Sequence, residues 1–214
     1  MGRIRKGILG GFSGKVGTVV GANWRHIAYM RSLPQKVRNP RTEAQLKQRS
    51  RMALVVSFLR PMTAFLRTGW KLFAKRQSAF NAATAYMLAN AIRGTFPNYQ
   101  IDFDKVLVTR GSLPPVISPA LGGTGKVVSM QWGNNSNVGS AKTTDKALAV
   151  LLNPASGEVI CIVDGATRVT GKQDVTTPDS WEGASVHCYL GFISEDGKEV
   201  SNSFYYGNHT LPTS

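Results

Sequence analysis

No stretch of this 214-residue chain approaches the roughly 18 consecutive apolar residues that carry a helix across a bilayer, so no membrane span is expected. Met1-Gly2-Arg3-Ile4-Arg5-Lys6 has the charge of a signal peptide's first segment. Only Ile8-Leu9 follows before glycines intervene, so the apolar segment is missing. Lys6 stands where N-myristoylation requires Ser or Thr. The expectation is cytoplasmic synthesis, with incorporation into a virion or another large assembly left open. Cysteine is scarce: Cys161 and Cys188 lie in apolar runs and read as small buried hydrophobes, with a disulfide not required.

The chemistry of catalysis is missing as well. His26, His187 and His209 are far apart in sequence and keep no metal-ligand spacing. His187 alternates with Cys188 and is expected on an exposed sheet face. No nucleophile elbow is present, and neither cysteine has an activating neighbour. The glycines of residues 7–21 (GILGGFSGKVGTVVG) suggest a phosphate loop, but Leu9 stands where its first glycine belongs and Val16 follows Lys15. Gly125-Lys126 fails the same test. No enzyme activity, cofactor, metal or small-molecule substrate is expected. The glycines are read as permitting tight turns and close backbone approach.

Acidic residues are few where basic ones are many. Residues 1–113 hold 20 Lys and Arg against Glu43, Asp102 and Asp104, a net +17, whereas residues 114–214 hold six against nine acids, a net −3. That asymmetry argues for two units with different jobs. A basic field of this size attracts nucleic acid, an anionic membrane or an acidic protein face.

Asn39–Arg60 organises the first half. Pro40 disfavours helix at the residue before it, Thr42 with Gln45 has the pattern of a capping box, and the helix is expected from Glu43 to about Leu59. Its first half carries Lys47, Arg49 and Arg51, expected to point outward. Met52–Leu59 is apolar almost all round and is expected to be buried on every side. Residues 61–76 predict a second helix, weakened at Gly69, and Ser78 caps a third over 79–93. Before these helices, residues 16–20 and 26–31 predict a hairpin turning at Gly21-Ala22-Asn23. Its alternation of Trp24, Arg25, His26, Tyr29 and Arg31 suits stacking on bases or on a partner's apolar surface. Tyr99–Arg110 predicts one or two strands.

Residues 114–124, rich in proline, read as a linker. Beyond it, short apolar runs at 126–132, 146–152, 158–163, 185–193 and 199–206 alternate with turn chemistry, Asp196-Gly197 included. The fold class expected is α+β. A basic helical domain with a glycine-rich arm would span 1–113, and an antiparallel β-sandwich of immunoglobulin or fibronectin-III type would span 125–214 and fold by itself.

The segments GGFSGKVGTVVG, YMRSLP, NPRTEAQ, SAFNAA and GFISEDGKEVSNS, with Trp24 and the Phe58–Pro61 corner, together resemble an uncharacterised domain-of-unknown-function family common in Bacteroidota. The resemblance spans essentially the whole chain and carries no activity with it. Residues 39–58 are also similar to segments of bacteriophage structural proteins.

Two functions follow as expectations. The first is a non-catalytic assembly protein that forms homo-oligomers through its basic N-terminal unit and displays the C-terminal domain. The second is a nucleic-acid-binding protein. Candidate contacts for a polyanion or partner are Arg3, Arg5, Lys6, Lys15, Trp24, Arg25, Arg31, Lys36, Arg38, Arg41, Lys47, Arg49 and Arg51.

Overall fold

In the computed structural model, residues 2–4, 10–24, 27–34, 41–75 and 77–213 are described. The chain divides into two units, Met1–Thr42 and Glu43–Ser214. The proline-containing stretch 114–124, read from composition as the boundary, lies inside the second.

The described residues of the first unit form an antiparallel sheet of β1 (Arg3–Ile4), β2 (Phe12–Val16), β3 (Val19–Trp24) and β4 (Ile27–Ser32), in that spatial order. Gly17, at φ 56°, supplies the positive φ of the β2–β3 turn. Gly21-Ala22-Asn23 is not the expected turn but the middle of β3, where Gly21 pairs with Gly14 and Met30. A side chain at Gly21 would collide first with the Phe12 carbonyl oxygen and then, at 2.6 Å, with the Phe12 ring, so the glycine permits close approach of the neighbouring strand.

The second unit opens with α1 (Glu43–Leu59), at the expected bounds. A 3₁₀ turn, Arg60–Met62, takes up Pro61 at its start. The expected long second helix is instead α2 (Thr63–Gly69) followed by a 3₁₀ turn, Lys71–Phe73. It breaks at Gly69, where a Cβ would meet the Val108 carbonyl at 2.7 Å and the Gly69 carbonyl accepts from the Arg110 N–H. The Arg110 guanidinium lies 4.5 Å from the Phe73 ring centre and faces Tyr86 and Trp70 as well. Ser78 caps α3 (Ala79–Asn90), its hydroxyl accepting from the Asn81 N–H. The chain then leaves the helix as β5 (Ile92–Arg93), turns at Gly94 and returns as β6 (Gln100–Ile101). The long strands expected over 99–110 shrink to β6 and a 3₁₀ turn at Phe103–Lys105.

Seven strands complete the unit: β7 (Ala120–Thr124), β8 (Val127–Gln131), β9 (Lys146–Asn153), β10 (Glu158–Ile162), β11 (Lys172–Thr176), β12 (Ser185–Ile193) and β13 (Phe204–Thr210). They form an antiparallel four-stranded sheet, β10-β9-β12-β13, and a three-stranded one, β11-β8-β7. The two sheets share a core of Val128, Met130, Trp132, Ala149, Leu151, Cys188, Leu190 and Phe192. Alternation sends Leu148, Val150 and Tyr189 to the other face of the four-stranded sheet, into a second core with Val55, Leu59, Phe65, Leu66 and Met87. That sheet is therefore buried on both faces. This accounts for the unbroken apolar run Ala147–Leu152.

The same layering corrects two expectations. The second half of α1 is not enclosed: Val55 and Leu59 are buried, while Met52 and Ser57 are exposed, because the helix packs through one side only. His187 is covered rather than open, stacked on Phe103 at a ring separation of 3.7 Å.

Candidate interaction surfaces

Register and alternation sort the N-terminal sheet into two unlike faces. Lys15 pairs with Val20 and Val20 with Arg31, so all three share a face. Along β3 that face continues through Ala22 to Trp24, and along β4 through Tyr29 to Ile27. Arg3 pairs with Ser13, two residues from Lys15, and joins it. Trp24 is 60% exposed and Tyr29 44%, and Arg3, Lys15 and Arg31 are exposed as well. Four of the sequence's candidate contacts thus meet on one surface, with Tyr29 among them. No Asp or Glu precedes Glu43, so residues 1–42 contain no carboxylate side chain to pair with their nine Lys and Arg.

The opposite face is apolar and rich in glycine. Phe12, Gly14, Val16, Val19, Gly21 and Met30 belong to it, and a depression of about 330 Å³ is lined by Gly2, Phe12, Val16, Val19 and Met30. Val16 is 56% exposed and Met30 70%. Sequence reading treated this stretch as turn-forming glycine and missed its apolar face. The signal that would have revealed it is the placement of Phe12, Val16, Val19 and Met30 at one strand parity.

The helix-borne candidates behave differently. Lys47 pairs with Glu43 at 2.6 Å, one turn apart on α1. Arg51 turns inward, its guanidinium donating to the Leu88 carbonyl at 2.6 Å and tying α1 to the end of α3. Arg41 and Arg49 are exposed, and Arg49 has interactions of its own. Arg5, Lys6, Arg25, Lys36 and Arg38 lie outside the described residues.

In the second unit, a cavity of about 460 Å³ opens between α1, the segment 93–103 and the β9–β10 turn, lined by Leu54, Phe58, Tyr99, Phe103 and Leu152 with Arg93 and Gln100. Its one hydroxyl from α1, Ser57, donates to the Leu54 carbonyl. The aromatic trio Trp70, Phe73 and Tyr86 is already filled by the chain's own Arg110. Among the described residues no three His, Cys, Asp or Glu side chains come together in a way that could hold a metal. Cys161 and Cys188 are unbridged: they point to opposite faces of the four-stranded sheet, and burial pushes the Cys188 thiol up to about 12. No helix among the described residues is long and apolar enough to cross a membrane.

By class this is an α+β protein with a long helix and antiparallel sheets. Its sequence matches the profile of a family of unknown function, DUF6266, over residues 11–207, and the chain belongs to that family. No curated protein matches it in sequence. Among solved structures it is similar to the fn3 domain of human collagen alpha-1(XX) chain, at 15% identity and a TM-score of 0.33, over 49% of this chain and 91% of that one.

Proposed function

We propose that the protein is a non-catalytic assembly subunit that associates with further copies of itself through the apolar face of its N-terminal sheet. The observation that carries this is the exposure of Val16 and Met30 on a sheet that forms a single layer among the described residues. A sheet with an apolar face needs a second layer to bury it, and residues 1–42 hold too few bulky side chains to supply one. A second copy brings a matching apolar face, with the cations of both copies on the outer sides. Among the described residues β4 is bonded to β3 alone, which leaves an edge for pairing.

The seven-stranded part is the displayed body, of immunoglobulin or fibronectin-III type. Its strand order supports this. Labelling β7 to β13 as A, B, C, C′, E, F and G puts A, B and E on one sheet and C′, C, F and G on the other.

Light scattering on the size-fractionated protein tests the assembly. The wild type is expected to be oligomeric, and the double variant Val16→Ser/Met30→Ser monomeric with an unchanged circular dichroism spectrum. A wild type that stays monomeric at every accessible concentration overturns the reading.

A further inference from the structure

We infer that the other face of the N-terminal sheet, bearing Arg3, Lys15, Trp24, Tyr29 and Arg31, binds single-stranded nucleic acid. This goes beyond self-assembly and uses the opposite side of the same sheet.

Charge complementarity comes first. Residues 1–42 carry nine Lys and Arg and no acid, so every cation there lacks a carboxylate within its own unit. The contrast with α1 is direct, because Lys47 is held by Glu43 and Arg51 by a backbone carbonyl. On the sheet, Lys15 and Arg31 flank Val20 in a row across three strands, and Arg3 lies on β1. The sheet thus offers several cations on one side, the disposition that follows a phosphate backbone.

The aromatic pair separates a single strand from other polyanions. Trp24 pairs with Ile27, and Tyr29 sits two residues further along β4. The Trp24–Tyr29 diagonal is therefore about 7–8 Å, a distance that successive unstacked bases can bridge. A duplex keeps its bases stacked inside and gives these rings nothing to stack on. An anionic membrane also engages cations and seats Trp and Tyr at its interface, so competition by anionic vesicles is the arm that separates it from a single strand. Val20 and Ala22 on the same face are half-buried, and Ile27 beside Trp24 is exposed.

The test uses the full-length protein, freed of copurifying nucleic acid, and fluorescence anisotropy with labelled oligo-dT and oligo-rU of about 20 nucleotides. Single strands are expected to bind more tightly than a duplex of equal length. The triple variant Arg3→Gln/Lys15→Gln/Arg31→Gln should reduce the slope of log affinity against log salt by about 2, at ~0.7 per phosphate contact. Lys47→Gln, whose cation is already paired, should leave the slope unchanged. Trp24→Ala should weaken single-strand binding by about 5- to 150-fold with the slope retained, and Trp24→Phe should restore most of it. All of these side chains are exposed, and circular dichroism checks that each variant stays folded. The inference is overturned if the wild type binds neither oligonucleotide at ~50 mM salt. It is equally overturned if the triple variant keeps its slope, if Trp24→Ala weakens duplex and single strand alike, or if anionic vesicles compete the oligonucleotide away.

Discussion

Arg168 shows how single residues hold the second unit together. Its side chain is fully buried and none of its groups is left to chance. Nε donates to Asp145 at 3.1 Å, Nη1 to Asn135 at 2.6 Å and Nη2 to the Pro114 carbonyl at 3.0 Å. The guanidinium lies 3.8 Å from the Phe192 ring centre, and the Arg168 carbonyl accepts from the Trp132 indole. Replacing Arg168 with Met leaves a buried carboxylate without its cation, which costs about 3–5 kcal/mol. Urea denaturation of Arg168→Met should show that loss, and Arg168→Met/Asp145→Leu should recover part of it. Loss below ~1 kcal/mol would mean that water replaces the clamp. His187 makes a second residue-level prediction. Its ring stacks on Phe103 and its Nδ1 lies 2.6 Å from the Tyr205 hydroxyl. Burial pulls its pKa below the ordinary value, against a smaller opposing effect of Asp104. The folded state therefore binds the proton less well than the unfolded one. The stability this group contributes is complete above about pH 6.5 and is lost as pH falls from there toward the folded pKa. Melting temperatures followed from about pH 8 to about pH 5 should fall, and His187→Gln should flatten the decline. A parallel decline in the variant assigns the effect to other groups.

At the scale of elements, what could be read in advance was whatever local chemistry decides. The bounds of α1, the cap at Ser78, and the strands at 126–132, 146–152, 158–163 and 185–193 all follow from caps, turn residues and periodicity within a few residues. Elements set by distant partners were not legible. α2 ends at Gly69 because the Val108 carbonyl approaches there from a segment nearly 40 residues on, which no window around Gly69 contains. β7 follows Pro114, Pro115 and Pro119, and that composition is a linker's. The Pro114 carbonyl is nonetheless held by Arg168 and the Pro115 carbonyl by Asn135, so the segment is fixed from outside itself. The interaction surface divides along the same line. Lys47 and Arg51 looked like the outward charges of an organising helix, yet one is paired within a turn and the other reaches α3. Arg3, Lys15, Trp24 and Arg31 were named singly, and only strand register brings them to one face. Register in a glycine-rich sheet is weakly written in sequence, because few side chains mark which face is which.

For the molecule as a whole, the division between Thr42 and Glu43 changes what each part needs in order to fold. A boundary at the prolines would let residues 114–214 fold alone. The four-stranded sheet argues against that, since Leu148, Val150 and Tyr189 are fully buried in the core shared with α1, α2 and α3. Removing the helices bares these three side chains at roughly 1.5–3 kcal/mol each, a loss comparable to the ~5–15 kcal/mol total stability of a typical domain. Losing the segment 99–113 with them also strips Ser203 of its bonds from the Val108 and Thr109 N–H groups, and the Tyr189 hydroxyl of the Phe103 carbonyl it donates to. The fragment 43–214 keeps every one of these contacts and should unfold in a single cooperative transition within a few degrees of the full chain's second unit. The fragment 114–214 should be insoluble, or soluble without a cooperative thermal transition. Calorimetry on the two fragments decides the matter. A cooperative, monomeric 114–214 would restore the boundary at the prolines and make the helices an ornament on an independent body. A cooperative 43–214 beside an unfolded 114–214 makes the helices one wall of that body, and leaves the N-terminal sheet as the part of the chain whose folding depends on what covers it.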